Sequence, residues 1–179
     1  MIAIKEFFND VEQINEMVLA EKSDELWKIG SLAEIKTQVS TELFALHVYV
    51  NLIGNWKEGG WWFIFCEMAE LIPYVSEVLE ATSMDDINAG FEKVLTCFPE
   101  NTVFVNDENY CDTVNFLQNP RFKVTYEKLR NISVEERKEL AKKTRRFVEE
   151  LDETTEAYWG DSTDGFGWKG ALDYIFANK

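Results

Sequence analysis

The stretch EGGWWFIFCEMAELIP (residues 58–73) places two adjacent glycines directly before a run of bulky aromatic side chains. Because glycine has no Cβ, Gly59 and Gly60 allow a tight change of chain direction and a close approach of neighbouring helices. The aromatic side chains that follow are Trp61, Trp62, Phe63 and Phe65. We predict a structural motif and not a catalytic site: the glycines interrupt a helix, and the aromatic side chains fold back as an anchor of the core.

Helical periodicity dominates the rest of the chain, which contains three prolines and nine glycines. Apolar residues recur three and four positions apart. Ser23, Ser83 and Ser133 each precede acidic residues in patterns that predict the start of a helix. The predicted helices cover about residues 3–21, 23–29, 40–57, 61–81 with a kink at Pro73, 84–98, 109–118, 121–131, 134–158 and 168–179. The expected fold is all-α: a single-domain, bundle-like arrangement of helices joined by short loops.

The charge of the chain is large and unevenly distributed. The formal net charge is −15. Residues 121–148 contain ten basic and four acidic side chains, whereas the rest of the chain contains eight basic and 29 acidic ones. This balance argues against direct binding of nucleic acid and favours basic proteins as partners. The alternative is that the charge serves only solubility.

The three cysteines, Cys66, Cys97 and Cys111, form no closely spaced pair, which favours free thiols in a reducing compartment. Lys5 and Glu6 lie where a signal peptide would need apolar residues. The apolar stretches are too short to cross a bilayer, which needs about 20 apolar residues. We therefore expect a cytoplasmic protein that does not enter the membrane.

Few side chains in this sequence are suited to catalysis. The one histidine, His47, lies in the apolar segment LFALHVYV, where a hydrogen-bonded core residue is the usual role. A cysteine nucleophile would need a fold that brings His47 beside Cys66. The segment DSTDG (161–165) resembles a calcium loop, but its glycine comes one place early and the closing Glu is missing, so a turn is favoured. We expect a protein that is not an enzyme and has no cofactor or metal.

A row of acidic residues follows the aromatic run. The row consists of Glu70, Glu77, Glu80, Asp85 and Asp86. On one continuous helix, the apolar side chains of this segment would point away from the acids. At about 1.5 Å per residue, Glu70 and Glu77 would lie roughly 10 Å apart, and DNA carries a phosphate about every 3.4 Å along each strand. We take the row as the candidate partner-binding site; the alternative is an ordinary solvated helix face.

Five segments, in this order, resemble the DNA-mimic-protein-like domain family. They are EGGWWFIF (58–65), LIPYVSEVLEA (71–81), GFEKVLTCFP (90–99), ELDETTEAY (150–158) and ALDYIFAN (171–178). The resemblance covers roughly residues 40–178. We therefore expect residues 1–40 to form an N-terminal helical extension packed on a domain of residues 41–179. Glu58 departs from the family pattern, which has Asn before the glycines, and GDSTDGFGW is similar to an insertion before the last helix.

The resemblance implies a function in binding. The founding member of the family is an acidic, helical dimer that occupies the DNA-binding surface of a transcription factor. For this chain the resemblance implies a non-enzymatic protein that mimics the charge of DNA and engages a basic protein, with a homodimer among its possible states. The alternatives are an immunity or antitoxin-like protein that neutralises a basic toxin, a helical protein with no DNA-mimic role, and an enzyme of unrecognised type.

Overall fold

Ten α-helices and one 3-10 helix form the described part of the computed structural model, which comprises residues 1–11, 13–163 and 167–178. In chain order they are α1 Ile4–Phe7, α2 Glu16–Trp27, α3 Leu32–Gln38, α4 Thr41–Glu67, the 3-10 helix Ala69–Tyr74, α5 Val75–Ala81, α6 Asp85–Leu95, α7 Glu108–Gln118, α8 Glu127–Arg130, α9 Val134–Trp159 and α10 Trp168–Asn178. These residues contain no strand; Ile2 and Val39 form an isolated β-bridge. The predicted all-α, single-domain fold is confirmed.

Helix α4 lies at the centre of the fold. Ser40 caps its first turn by accepting a hydrogen bond from the backbone N–H of Leu43. Every side chain from Leu43 to Val50 is buried, so the first half of α4 is covered on all sides. The elements that pack against it are α2, α3, α5, α7, α9, α10 and the 3-10 helix. Among the described helices, none combines the length and the apolar composition that a transmembrane span requires.

The glycine pair separates two helical segments within α4. Gly60 has φ 68° and ψ −168°, in the left-handed region that favours glycine. The backbone N–H of Trp61 and the indole Nε1 of Trp56 both donate to Oδ1 of Asp152, at 3.0 and 2.9 Å. One carboxylate oxygen on α9 therefore binds α4 on both sides of the kink.

The aromatic side chains after the kink enter the core. Trp61 and Phe65 are fully buried, whereas Trp62 and Phe63 are half-buried. The Trp61 ring packs against Trp159 with centroids 6.2 Å apart, and its Nε1 donates to Thr155 Oγ1 at 2.7 Å. Phe65 stacks on Phe91 of α6 with an interplanar angle of 3°. These rings join α4 to α6 and α9.

The N-terminal residues share this core. Their buried apolar side chains belong to the same cluster as those of α4 and α10. They are Ile4, Phe8, Leu19, Leu26, Leu32, Ile35 and Val39. Residues 1–40 therefore contribute to the main core, although much of this segment differs from the predicted helices.

The prediction of one helix over residues 3–21 is wrong. Helix α1 ends at Phe7, and α2 begins only after Asn15, whose side chain accepts from the backbone N–H of Val18. Ser23 does not cap a helix; it is buried inside α2 and hydrogen-bonded to His47. The cap of the next helix is Ser31, which forms a capping box with Glu34.

The helix predicted over residues 61–81 is also broken. Helix α4 ends at Glu67, and the 3-10 helix that follows contains Pro73, which has no N–H to donate. Ser83 is not an N-cap, since it has φ 58° and belongs to the turn that ends α5, where the N–H of Met84 donates to the carbonyl of Leu79. This hydrogen bond is typical of a Schellman motif.

The C-terminal half follows the prediction more closely. Ser133 and Glu136 form the expected capping box of α9. Within residues 121–131 only the α8 segment is α-helical. The predicted loop 160–167 falls partly outside the described residues at 164–166, and so do the last two residues of DSTDG.

The buried histidine takes part in a polar network. Its Nδ1 lies 2.9 Å from Ser23 Oγ, and Asn51 Nδ2 donates to the same hydroxyl at 2.9 Å. Trp27 Nε1 completes the network by donating to Asn51 Oδ1. His47 is 1% exposed, and its Nε2 has no hydrogen-bond partner among the described residues. Burial lowers the pKa of His47 from 6.5 to about 4.

This pKa predicts a loss of stability in mild acid. Between about pH 6.5 and 4 the unfolded chain binds a proton at His47 that the folded protein does not. The contribution of His47 to stability is therefore intact above pH 6.5 and decreases as the pH falls, by about 2 kcal/mol between pH 7 and pH 5. Urea unfolding of the wild type and of His47→Gln at both pH values measures this. Equal decreases in the two proteins would contradict the prediction.

The kink predicts opposite effects for two glycine substitutions in α4. A Cβ at Gly60 would lie 3.0 Å from Asp152 Oδ1 on a left-handed backbone, whereas a Cβ at Gly54 would have no neighbour within 4 Å. We expect Gly60→Ala to lower the free energy of unfolding by about 2 kcal/mol. Gly54→Ala should raise it by about 0.5–1 kcal/mol because alanine favours the helix. Urea unfolding would contradict this if both variants changed stability in the same direction.

Candidate partner-binding surface

The five acidic residues predicted as a partner-binding site are all exposed. We call them the acidic surface: Glu70, Glu77, Glu80, Asp85 and Asp86. Glu70 lies in the 3-10 helix, Glu77 and Glu80 lie in α5, and the two aspartates form the first turn of α6. The negative charge of the two aspartates also stabilises α6, because the N-terminal end of a helix dipole is positive.

The core-facing side chains of the same elements orient these acids toward solvent. The buried side chains are Leu71 and Ile72 of the 3-10 helix, Val75, Val78 and Leu79 of α5, and Ile87, Phe91 and Val94 of α6. Each short element therefore has one apolar side against the core and one solvated side. The sequence pattern correctly separated the two sides even though the helix boundaries were wrong.

The acids do not lie on one straight helix, so the spacing expected from a single helix does not hold. Between Glu70 and Glu77 the chain passes from a 3-10 helix, with a rise of about 2.0 Å per residue, to an α-helix. Between Glu80 and Asp85 it passes through the turn at Ser83. Pro73 and the turn that ends α5 are the physical causes of both breaks.

The acids differ in their local partners. Glu77 forms an ion pair with Lys36 of α3 at 3.1 Å, and Lys36 also lies over the rings of Phe44 and Tyr74. Asp86 accepts a hydrogen bond from the hydroxyl of Tyr158 at 2.8 Å. The carboxylates of Glu70, Glu80 and Asp85 make no hydrogen bond or ion pair within the described parts of the chain, so they are available to a partner.

Tyr158 connects the acidic surface to the second half of α9. Its hydrogen bond to Asp86 raises the pKa of the phenol, and burial and the negative charge of Asp85 act in the same direction. A cleft of about 360 Å³ lies beside it, between α6 and α9. Asp86 and Glu150 contribute carboxylates to this cleft, together with Lys93, so that the negative surface continues from α6 onto α9.

The sequence analysis did not identify Glu150 or Tyr158. They lie more than sixty residues from Asp86 along the chain, and only the packing of α6 against α9 brings them together. One signal was present in the sequence: basic residues of α9 end at Arg146, and acidic residues follow from Glu149. That change of sign marks the half of α9 that extends the acidic surface.

The residues considered for catalysis have separate surroundings. His47 is hydrogen-bonded to Ser23 in the core. Cys66 accepts from Gln118 Nε2 at 2.9 Å and packs beside Tyr110, and burial raises the pKa of its thiol. The described residues contain no group of three or more His, Cys, Asp or Glu side chains that could hold a metal ion.

A further cleft, of about 510 Å³, lies beside the kink of α4. Asp152 is part of its lining, and burial raises the pKa of this carboxylate although the hydrogen bonds from Trp61 and Trp56 oppose the shift. Lys57 also lines the cleft, where its Nζ donates to the carbonyl of Trp159 at 2.9 Å. The hydrogen bonds of Asp152 and Lys57 in this cleft therefore connect α4 to the second half of α9.

Comparison of the chain with known protein families, curated proteins and solved structures found no match. The similarity to the DNA-mimic-protein-like domain family therefore stays a prediction from the sequence.

Proposed function

We propose that this protein is a non-enzymatic binding protein whose acidic surface engages a basic protein partner and mimics the charge of DNA. The observation that supports the proposal best is the exposure of five carboxylates on consecutive short elements, three of them without a hydrogen bond or ion pair among the described residues. The core-facing side chains of the same elements are buried in the main core, so the carboxylates project from elements that are packed on it.

The net charge of −15 supports this assignment through its long-range effect. Such a field accelerates encounter with a basic protein and opposes encounter with nucleic acid. Exposed ion pairs contribute little individually, typically under about 1 kcal/mol each, so that affinity must come from several contacts and must decrease with salt. A surface of distributed carboxylates is suited to this kind of binding.

A charge reversal tests the surface directly. We expect Glu70→Lys with Glu80→Lys to reduce capture of basic proteins from a cell lysate by about tenfold and to weaken its dependence on salt. Folding stability should change by less than about 0.5 kcal/mol because both positions are exposed. Glu77→Lys with Glu80→Lys should also weaken capture, but it removes the ion pair with Lys36 and is therefore the less specific variant.

The matched control is Glu21→Lys with Asp24→Lys on α2. Both residues are exposed, both reversals change the net charge equally, and α2 packs against α3 and α4 rather than against α5 or α6. Capture should be quantified by mass spectrometry at low and at high salt. If the control loses as much capture as the test variant, net charge explains the binding and the acidic surface has no specific role.

Competition with DNA tests the mimicry. If the captured partner uses its DNA-binding surface, short duplex DNA should release it from the immobilised protein. A toxin that does not bind DNA would stay bound under the same conditions, and its gene would lie beside that of its neutralising partner. Capture that duplex DNA leaves unchanged would therefore refute DNA mimicry while keeping a role in binding.

A further inference from the structure

The first half of α9 carries a surface of the opposite charge. A groove of about 1090 Å³ runs along it, between Asn131 and Glu149. Four exposed cationic side chains line this groove. They are Lys142, Lys143, Arg145 and Arg146. We call this feature the basic groove.

The cations of the basic groove are poorly neutralised by the rest of the protein. Arg146 lies 3.6 Å from Glu150, in a pair whose two side chains are 65% and 50% exposed. Lys143 and Arg146 lie over the ring of Phe147, at 5.4 and 5.0 Å from its centroid. Lys142 and Arg145 form no ion pair within the described residues. The acidic side chains elsewhere in the protein therefore do not neutralise these cations.

The basic groove also has an apolar part. Ile132 and Leu140 are half-buried, line the groove, and pack on the small core cluster that contains Phe116 and Leu129. The aliphatic stems of the neighbouring lysines and arginines extend this apolar lining. A ligand that carries only charged groups would make no apolar contact with Ile132 and Leu140.

The charges on the rim restrict the class of ligand further. Glu136, Glu139 and Glu149 also line the groove, so a continuous row of phosphates would meet carboxylates at both ends. The net charge of −15 opposes a nucleic acid, with its many phosphates, more strongly than a short peptide that carries a few carboxylates. A short peptide can instead place carboxylates near the cationic side chains that line the groove and an apolar side chain at Leu140.

We propose that the basic groove binds an acidic segment of a partner protein that contains an apolar residue between its carboxylates. From Val134 to Glu149 helix α9 rises about 22 Å, which matches an extended segment of about eight residues. The groove adjoins the acidic side of the protein at the ion pair of Arg146 with Glu150, so the protein would have two neighbouring binding sites of opposite sign on one scaffold. The inference does not depend on the proposed DNA mimicry.

A labelled peptide provides the test. The probe is a fluorescein-labelled peptide of about eight residues, rich in Glu and with Leu at its centre. Fluorescence anisotropy with the full-length protein should show saturable binding, and Lys142→Glu with Arg145→Glu should weaken it by about tenfold or more. The same peptide with Gln for every Glu, or with Asn for Leu, should also bind more weakly.

The matched control is Lys5→Glu with Lys28→Glu. Both lysines are exposed and lie outside the groove, and the change in net charge equals that of the groove variant. We expect less than about a twofold effect, with urea midpoints of both variants close to the wild type. Equal weakening by the two variants would overturn the proposal, because it would show an effect of net charge alone, and so would an absence of saturable binding to the wild type.

Two other occupants give distinguishable results. A single-stranded oligonucleotide that binds more tightly than the peptide and depends on Lys142 and Arg145 would assign the groove to nucleic acid and overturn the proposal. Sedimentation of the wild type and the groove variant tests a second copy of the chain. If the wild type self-associates and the variant Lys142→Glu with Arg145→Glu does not, a second copy of the chain binds in the groove. This result would also overturn the proposal.

Discussion

The hydrogen bonds from α4 to Asp152 form the constraint on which the rest of the structure depends. A chain that turns at two glycines has no intrinsic preference for one direction, because glycine adopts many backbone conformations. Asp152 Oδ1 selects one of them by accepting from a backbone N–H after the kink and an indole N–H before it. With that direction fixed, Trp61 and Phe65 meet Trp159 and Phe91, and α4, α6 and α9 acquire a common core.

The two charged surfaces follow from this arrangement. Packing of α6 on α9 places Asp86 beside Tyr158 and Glu150, so the acidic surface becomes one region made from distant parts of the chain. The first half of α9 packs on α7 instead, where Arg137 lies over the ring of Phe116, and the four cations of the basic groove stay exposed. The two halves of α9 therefore contribute to two adjoining surfaces of opposite charge, which meet at the ion pair of Arg146 with Glu150.

Periodicity and capping patterns predicted the structural features that depend on residues close together in the sequence. The all-α class, α9 with the capping box of Ser133, the break at Gly59 and Gly60, and the outward orientation of the acids could all be derived from sequence. The sequence did not show which of several equivalent local signals the folded chain uses. Ser23 has the pattern of a helix cap, but its hydroxyl is used by His47 from another helix, and Asn15 starts α2 in its place.

Contacts between distant residues were beyond the reach of pattern analysis. Nothing in the surroundings of Asp152 in sequence distinguishes it from the other 32 acidic residues of the chain. Its role requires the positions of Trp56 and Trp61, about ninety residues earlier. The same holds for Glu150 and Tyr158, whose relation to Asp86 is created by the packing of α6 on α9.

The charge order of α9 has a consequence for folding. Neighbours four positions apart carry like charges at Lys138 and Lys142, at Lys142 and Arg146, and at Glu149 and Glu153, but opposite charges at Glu139 and Lys143, at Arg145 and Glu149, and at Arg146 and Glu150. Like and opposite pairs change the stability of a helix by about 0.2–0.5 kcal/mol each in opposite directions, so the two sets largely cancel. The stability of α9 therefore depends on burying Val148 and Leu151 and not on its own charge pattern. Local melting of α9 would therefore remove the basic groove and, together with it, the contribution of Glu150 and Tyr158 to the acidic side of the protein.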